Sequence, residues 1–108
     1  MLIAATPAPP YYAVIFTSVR TSSDNDGYAQ TAGRMVELAS AQPGFLGVES
    51  AREDVGITVS YWRSLEDIKN WKYQTEHVMA RDQGRESWYE GYKTRICKVE
   101  RDYGFQTL

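Results

Sequence analysis

Tyr12 to Arg20, reading YAVIFTSVR, is the stretch that most limits how this chain can fold. β-Branched and aromatic residues fill it, so it reads as a strand. Tyr12, Val14 and Phe16 alternate with Ala13, Ile15 and Val19, which makes both faces of that strand apolar. Such a strand needs cover on both sides. One layer of helices from a 108-residue chain supplies one cover, and the other must come from a partner.

The remaining elements follow from periodicity and punctuation. After a polar break over 21–27, in which Asp26 is the expected N-cap, apolar residues recur at Tyr28, Ala32, Met35, Val36 and Ala39. That is helical spacing, and it stops at Gln42-Pro43-Gly44. Phe45 to Ala51 and Gly56 to Arg63 are two strands a few residues apart, expected to pair as an antiparallel hairpin. Ser64 caps a second helix, with Asp67 in the capping-box position normally held by Glu or Gln. The inner stripe of that helix continues through Leu65, Ile68, Trp71 and Lys72. A break is expected near Tyr73 to Thr75, followed by a second helical piece from about Glu76 to Arg85. Tyr92 to Tyr103 alternates apolar and polar residues and reads as the last strand.

The order β-α-β-β-α-β predicts an α+β fold of ferredoxin-like topology, an antiparallel sheet with both helices on one face. Residues 1–11, with prolines at 7, 9 and 10, are expected to form a flexible leader, and 12–108 a single domain. The leader has no basic start and too short an apolar run for a signal peptide. No stretch approaches the length needed to cross a bilayer. A cytoplasmic homodimer, packed sheet to sheet with its helices outside, is the expected assembly.

Charge and composition remove several functions. Twelve basic against fourteen acidic residues leave a net charge of −2, without the basic stripe a nucleic-acid binder needs. One cysteine, Cys97, and one histidine, His77, make neither a disulfide nor a zinc site. No phosphate-binding or dinucleotide glycine motif and no nucleophile elbow is present. Neither a metal nor a cofactor is expected.

The aromatic residues carry the functional signal. Seven of fourteen, including all three tryptophans, fall between positions 61 and 92: Tyr61, Trp62, Trp71, Tyr73, Trp88, Tyr89 and Tyr92. His77 lies among them. At 100° per residue, His77, Arg81, Gly84 and Trp88 form one stripe if the helix continues that far. An imidazole, a guanidinium, an indole and a gap suit a pocket for a planar ligand, with the imidazole as proton carrier. The plainer alternative is packing: aromatics at helical spacing are ordinary core, and Arg81 is a solvated residue beside Glu76 or Asp82.

The blocks QPGFLGVES (42–50), ITVSYWRSLEDIKNWK (57–72), His77 and GRESWYEGYKTRICKVERDYG (84–104) resemble the antibiotic biosynthesis monooxygenase superfamily. The likeness is closest to its uncharacterised bacterial branch with the pattern W…H…GRxxWYxxY…VER-Y. It implies a dimeric α+β barrel. It further implies a cofactor-independent monooxygenase that uses O₂ on a small phenolic or quinol aromatic. In such an enzyme the deprotonated substrate passes an electron to O₂ and the radicals combine. On this chain the resemblance implies His77 as acid/base, Trp71 and Trp62 as slot walls, and Tyr61, Tyr89 or Arg81 as donors. Two alternatives stand beside it. One is a non-catalytic dimer of the same fold that binds a small molecule. The other is a haem-binding, haem-degrading monooxygenase, whose first-strand asparagine is absent from Tyr12 to Arg20.

Overall fold

The computed structural model describes residues 2–21, 27–82 and 88–105, with the side chains of all of these except 77–82. The element order is β1 (Tyr11–Arg20), α1 (Tyr28–Ser40), β2 (Phe45–Arg52), β3 (Gly56–Trp62), α2 (Leu65–Asp82) and β4 (Tyr89–Val99). The strands form one antiparallel sheet in the order β2-β3-β1-β4. Both helices lie on one face, so the architecture is the ferredoxin-like α+β fold.

Local chemistry explains where elements start and stop. Ser64 Oγ accepts the Asp67 backbone N–H at 3.1 Å and donates to Asp67 Oδ2 at 2.8 Å, so Ser64 caps α2 as its spacing predicts. Gly44, at φ 81°, turns the chain after α1, and its carbonyl accepts the Arg63 N–H at 2.8 Å. Gly27, at φ 78°, occupies the N-cap position of α1; Asp26 lies outside the described residues.

Two expectations need correction. α2 runs unbroken from Leu65 to Asp82, a single helix rather than two pieces. Thr75 Oγ1 donates to the Trp71 carbonyl at 2.9 Å, a bond a threonine makes inside a helix without ending it. The last strand occupies Tyr89–Val99 rather than 92–103. Tyr89 already pairs with Arg20, and Asp102 has left the sheet to accept the Tyr11 hydroxyl.

Strand register sorts every side chain onto a face, because directly paired residues project the same way. The helix face is built of four transverse rows: Phe45, Trp62, Tyr12, Lys98; then Val48, Ser60, Val14, Ile96; then Ser50, Thr58, Phe16, Thr94; then Arg52, Gly56, Ser18, Tyr92. The buried core sits at the first row, where Ala39, Trp62 and Ile68 cluster with Tyr12, Val14, Phe45 and Trp71 against them. α1 packs on β2 and α2 on β3. Farther along, Tyr92 and Ile96 stay 40% and 51% exposed although they belong to the covered face.

The outer face carries Ala13, Ile15, Thr17, Ile57, Val59, Tyr61, Gly47, Glu49 and Cys97. Residues 2–10 cross one end of it. The Ala4 backbone N–H donates to Glu49 Oε2 at 2.9 Å, and Thr6 Oγ1 donates to the Tyr11 hydroxyl at 3.0 Å. Glycine at position 47 makes this approach possible, because a Cβ there would stand 2.8 Å from Ala4 Cβ.

Candidate functional site

Two aromatic groups stand at opposite ends of the helix face. At one end Trp62 stacks on Trp71 with centroids 5.9 Å apart and planes 26° from parallel, and Phe45 meets Trp62 edge-on at 5.5 Å. Trp62 is fully buried, and its Nε1 donates to Ser60 Oγ at 2.9 Å. β3 supplies Trp62 and α2 supplies Trp71, so the stack ties helix to sheet.

At the other end, Phe16 from β1 meets Tyr89 at 5.6 Å and Tyr92 at 5.4 Å, and those two tyrosines meet at 5.8 Å. Tyr28, on the first turn of α1, lies edge-on to Trp88 at 5.7 Å and to Tyr89 at 5.9 Å. The Arg20 guanidinium sits 3.7 Å above the Tyr28 ring, a cation–π contact. Trp88 is 2% exposed. Its carbonyl accepts the Thr21 N–H at 3.0 Å, which fixes the entry into β4.

Between the two ends the floor is small and half-buried: Val14, Ser60 and Thr58. From Tyr12 to Ser18 is six strand residues, or about 20 Å of sheet at roughly 3.3 Å per residue. Rings at both ends and hydroxyls between them suit a flat, partly polar guest.

Electrostatics separate the tyrosines. Burial, then a hydrogen bond with Tyr28, raises the Tyr89 phenol well above its ordinary value, against an opposing pull from Arg52 and Arg20. Tyr89 is therefore neutral at physiological pH and offers a hydroxyl, not a charge. Tyr61 is pushed up to about 12 by burial and by its bond to Glu49, Oη to Oε1 being 2.7 Å.

The residues singled out from the sequence do not all converge. Trp62 and Trp71 share one end of the face and Trp88 and Tyr89 the other. Tyr61 is one residue from Trp62 and consequently on the opposite face, edge-on to Tyr11 at 5.9 Å. The side chains of His77 and Arg81 lie outside the described residues, as does Gly84. Phe16, Tyr28 and Arg52 are additions that sequence inspection misses. Strand pairing places Phe16 and Arg52, and the packing of α1 brings Tyr28 to Trp88 and Tyr89.

The antibiotic biosynthesis monooxygenase family model matches residues 10–83. The chain belongs to that family. The uncharacterized protein YqjZ of Bacillus subtilis (strain 168) is 56% identical over 106 residues, covering 96% of this chain and 92% of YqjZ. Among solved structures, SnoaB from Streptomyces nogalater, a cofactor-independent oxygenase, superposes with a TM-score of 0.62 at 12% identity. The alignment covers 93% of this chain and 98% of SnoaB. PA3566 from Pseudomonas aeruginosa gives 0.66 at 16% identity, over 90% and 99% of the two chains. At those identities the shared property is the fold. Within this family member the matched span contains Trp62 and Trp71, whereas Trp88 and Tyr89 lie beyond it.

Proposed function

We propose that this chain is a cofactor-independent monooxygenase that oxidises a small phenolic or quinol aromatic with O₂. The observation that supports this reading is the arrangement of the helix face, which we read as a slot: Trp62 and Trp71 at one end, Phe16, Tyr89 and Tyr92 at the other, and Ser60 and Thr58 between them. Family membership supplies the reaction class, and the kinship of fold with SnoaB is consistent with it.

The chemistry asks little of the protein. For an anthrone, O₂ places one oxygen on the methylene carbon as a carbonyl. The other oxygen leaves as water with the two methylene hydrogens, so atoms and electrons balance without an added reductant. The slot holds the ring flat, and the neutral Tyr89 hydroxyl is a donor for the developing phenolate. His77 is the proposed proton acceptor, the one imidazole in the chain and the side chain type whose ordinary pKa lies nearest neutrality.

The functional unit we propose is a homodimer closed sheet to sheet over Ile15, Ile57, Val59 and Cys97 on the outer face. Sedimentation as a stable monomer at micromolar concentration removes it.

An oxygen electrode tests the activity. Uptake with an anthrone or a naphthoquinol, with no metal or flavin added, is expected to exceed the spontaneous rate. Trp71→Ala is expected to cut it about tenfold or more, since a ring misplaced by an ångström loses most of its reactive geometry. His77→Ala is expected to slow uptake while leaving binding unchanged. Background rates from the unaltered protein overturn the enzymatic reading; binding without O₂ consumption leaves a ligand carrier.

A further inference from the structure

The last transverse row of the helix face differs from the other three. It runs Arg52, Gly56, Ser18, Tyr92 across the sheet, and it holds a guanidinium where the others hold apolar groups, hydroxyls or a lysine stem. Arg52 lies across Gly56. A Cβ at position 56 would come within 2.1 Å of Arg52 Nη2 and 2.2 Å of its Cζ, so only glycine leaves the notch in which the planar head rests. From there Nη2 donates to the hydroxyl of Ser18, which is 2% exposed.

Resting on the slot reading, the geometry points to this row as an anion-binding end of the slot: the preferred ligands are aromatics bearing a carboxylate, received by Arg52. Ser18 is a neutral partner and takes one of five guanidinium donors. Among the described residues the ion pair is Lys72 with Glu76, and the carboxylates of Glu53 and Asp54, in the turn that follows, stay out of ion-pair range of Arg52. A planar carboxylate matches the remaining fork. The neighbouring residues suit the rest of such a ligand. Tyr92 shares the row, Phe16 stands one row inward, and the two rings are 5.4 Å apart, giving an aromatic platform beside the charge. Arg20 adds a second cation on the same face, over Tyr28. Tyr28 and Tyr89 are hydrogen-bonded to each other.

Isothermal titration with two probes of matched size, 1-naphthoate and naphthalene-1-methanol, tests this at neutral pH. The unaltered protein is expected to bind the carboxylate about tenfold tighter, a preference that weakens as salt is raised. Arg52→Gln is expected to abolish the preference while changing affinity for the alcohol less than about twofold, and Arg52→Lys to restore part of it. Gly56→Ala, which evicts the guanidinium without removing it, is expected to act like Arg52→Gln. Equal binding of the two probes, or a preference that survives Arg52→Gln, overturns the inference. If the alcohol still binds and quinol-dependent O₂ uptake persists, the slot reading stands and the anion-binding end alone is lost. If neither probe binds and quinol-dependent O₂ uptake stays at background, both are lost.

Discussion

The two faces of the sheet use the same residue types for opposite purposes. On the helix face tyrosines and tryptophans meet ring to ring, and the hydroxyls of Ser60, Thr58 and Ser18 lie between them. On the outer face Tyr11 and Tyr61 give their hydroxyls to the carboxylates of Asp102 and Glu49; the first bond ties the segment after β4 to β1, and the second ties β3 to β2. A phenol with its hydroxyl engaged by a carboxylate is a structural tie. A phenol neutral among rings and cations, such as Tyr89, is the ligand donor we propose. The partner distinguishes them, not the residue type.

The sharpest way to break this contrast is at the pair Tyr61 and Trp62, adjacent in sequence and opposite in face. Trp62→Ala empties the centre of the core under Trp71 and Phe45 and is expected to cost about 3–5 kcal/mol. That is a large part of the roughly 5–15 kcal/mol a domain possesses. Tyr61→Phe removes one half-buried hydrogen bond and is expected to cost only about 1 kcal/mol. Urea denaturation followed by tryptophan fluorescence and circular dichroism checks both. Equal costs at the two positions would mean that the register-based division into faces is wrong.

Gly47→Val probes the outer face alone. Its side chain would displace Ala4, which stands 2.8 Å from the nearest Cβ position, and with it the bond from the Ala4 N–H to Glu49. The leader is expected to become the first site of limited proteolysis, while the global midpoint falls by about 1–2 kcal/mol of stability. Slot ligands are expected to bind as before. A loss of ligand binding would join the two faces functionally and blunt the comparison.

The architecture was legible because its signals are local. Breakers at Gln42-Pro43-Gly44, the Ser64–Asp67 cap and the apolar run of β1 each report on their own neighbourhood, and together they define the order of elements. The expected division of α2 at Tyr73 to Thr75 is not there: one helix continues through it, and Thr75 Oγ1 donates to the Trp71 carbonyl inside that helix. The site was half legible. Trp62 and Trp71 stand out as aromatics nine residues apart, but nothing local says that Arg52, Gly56, Ser18 and Tyr92 share one row. Register comes from pairing among three strand contacts, and a single sequence carries no direct record of it. Tyr61 shows the converse: strand alternation already separates it from Trp62, and grouping the two by proximity discards that information.

The smallest expected effect is also the most specific to the outer face. Tyr61 has its phenol raised from 10.0 to about 12 in the folded chain. The unfolded chain binds fewer protons at this site between those values, so stability must decline as pH rises through that interval. Below about pH 10 both states keep the proton, and the contribution is fully present. Above about 12 both have released it, and it is gone. Tyr61→Phe is therefore expected to flatten the alkaline slope of stability between pH 10 and 12, read from urea midpoints at successive pH values. Tyr11, whose phenol is raised chiefly by its bond to Asp102, contributes a decline of the same sign, so the slope is expected to shrink without vanishing. An unchanged slope would show that neither burial nor the bond to Glu49 raises the Tyr61 phenol in solution. The outer-face ties would then be those of Tyr11 with Asp102 and Thr6 and of the Ala4 N–H with Glu49.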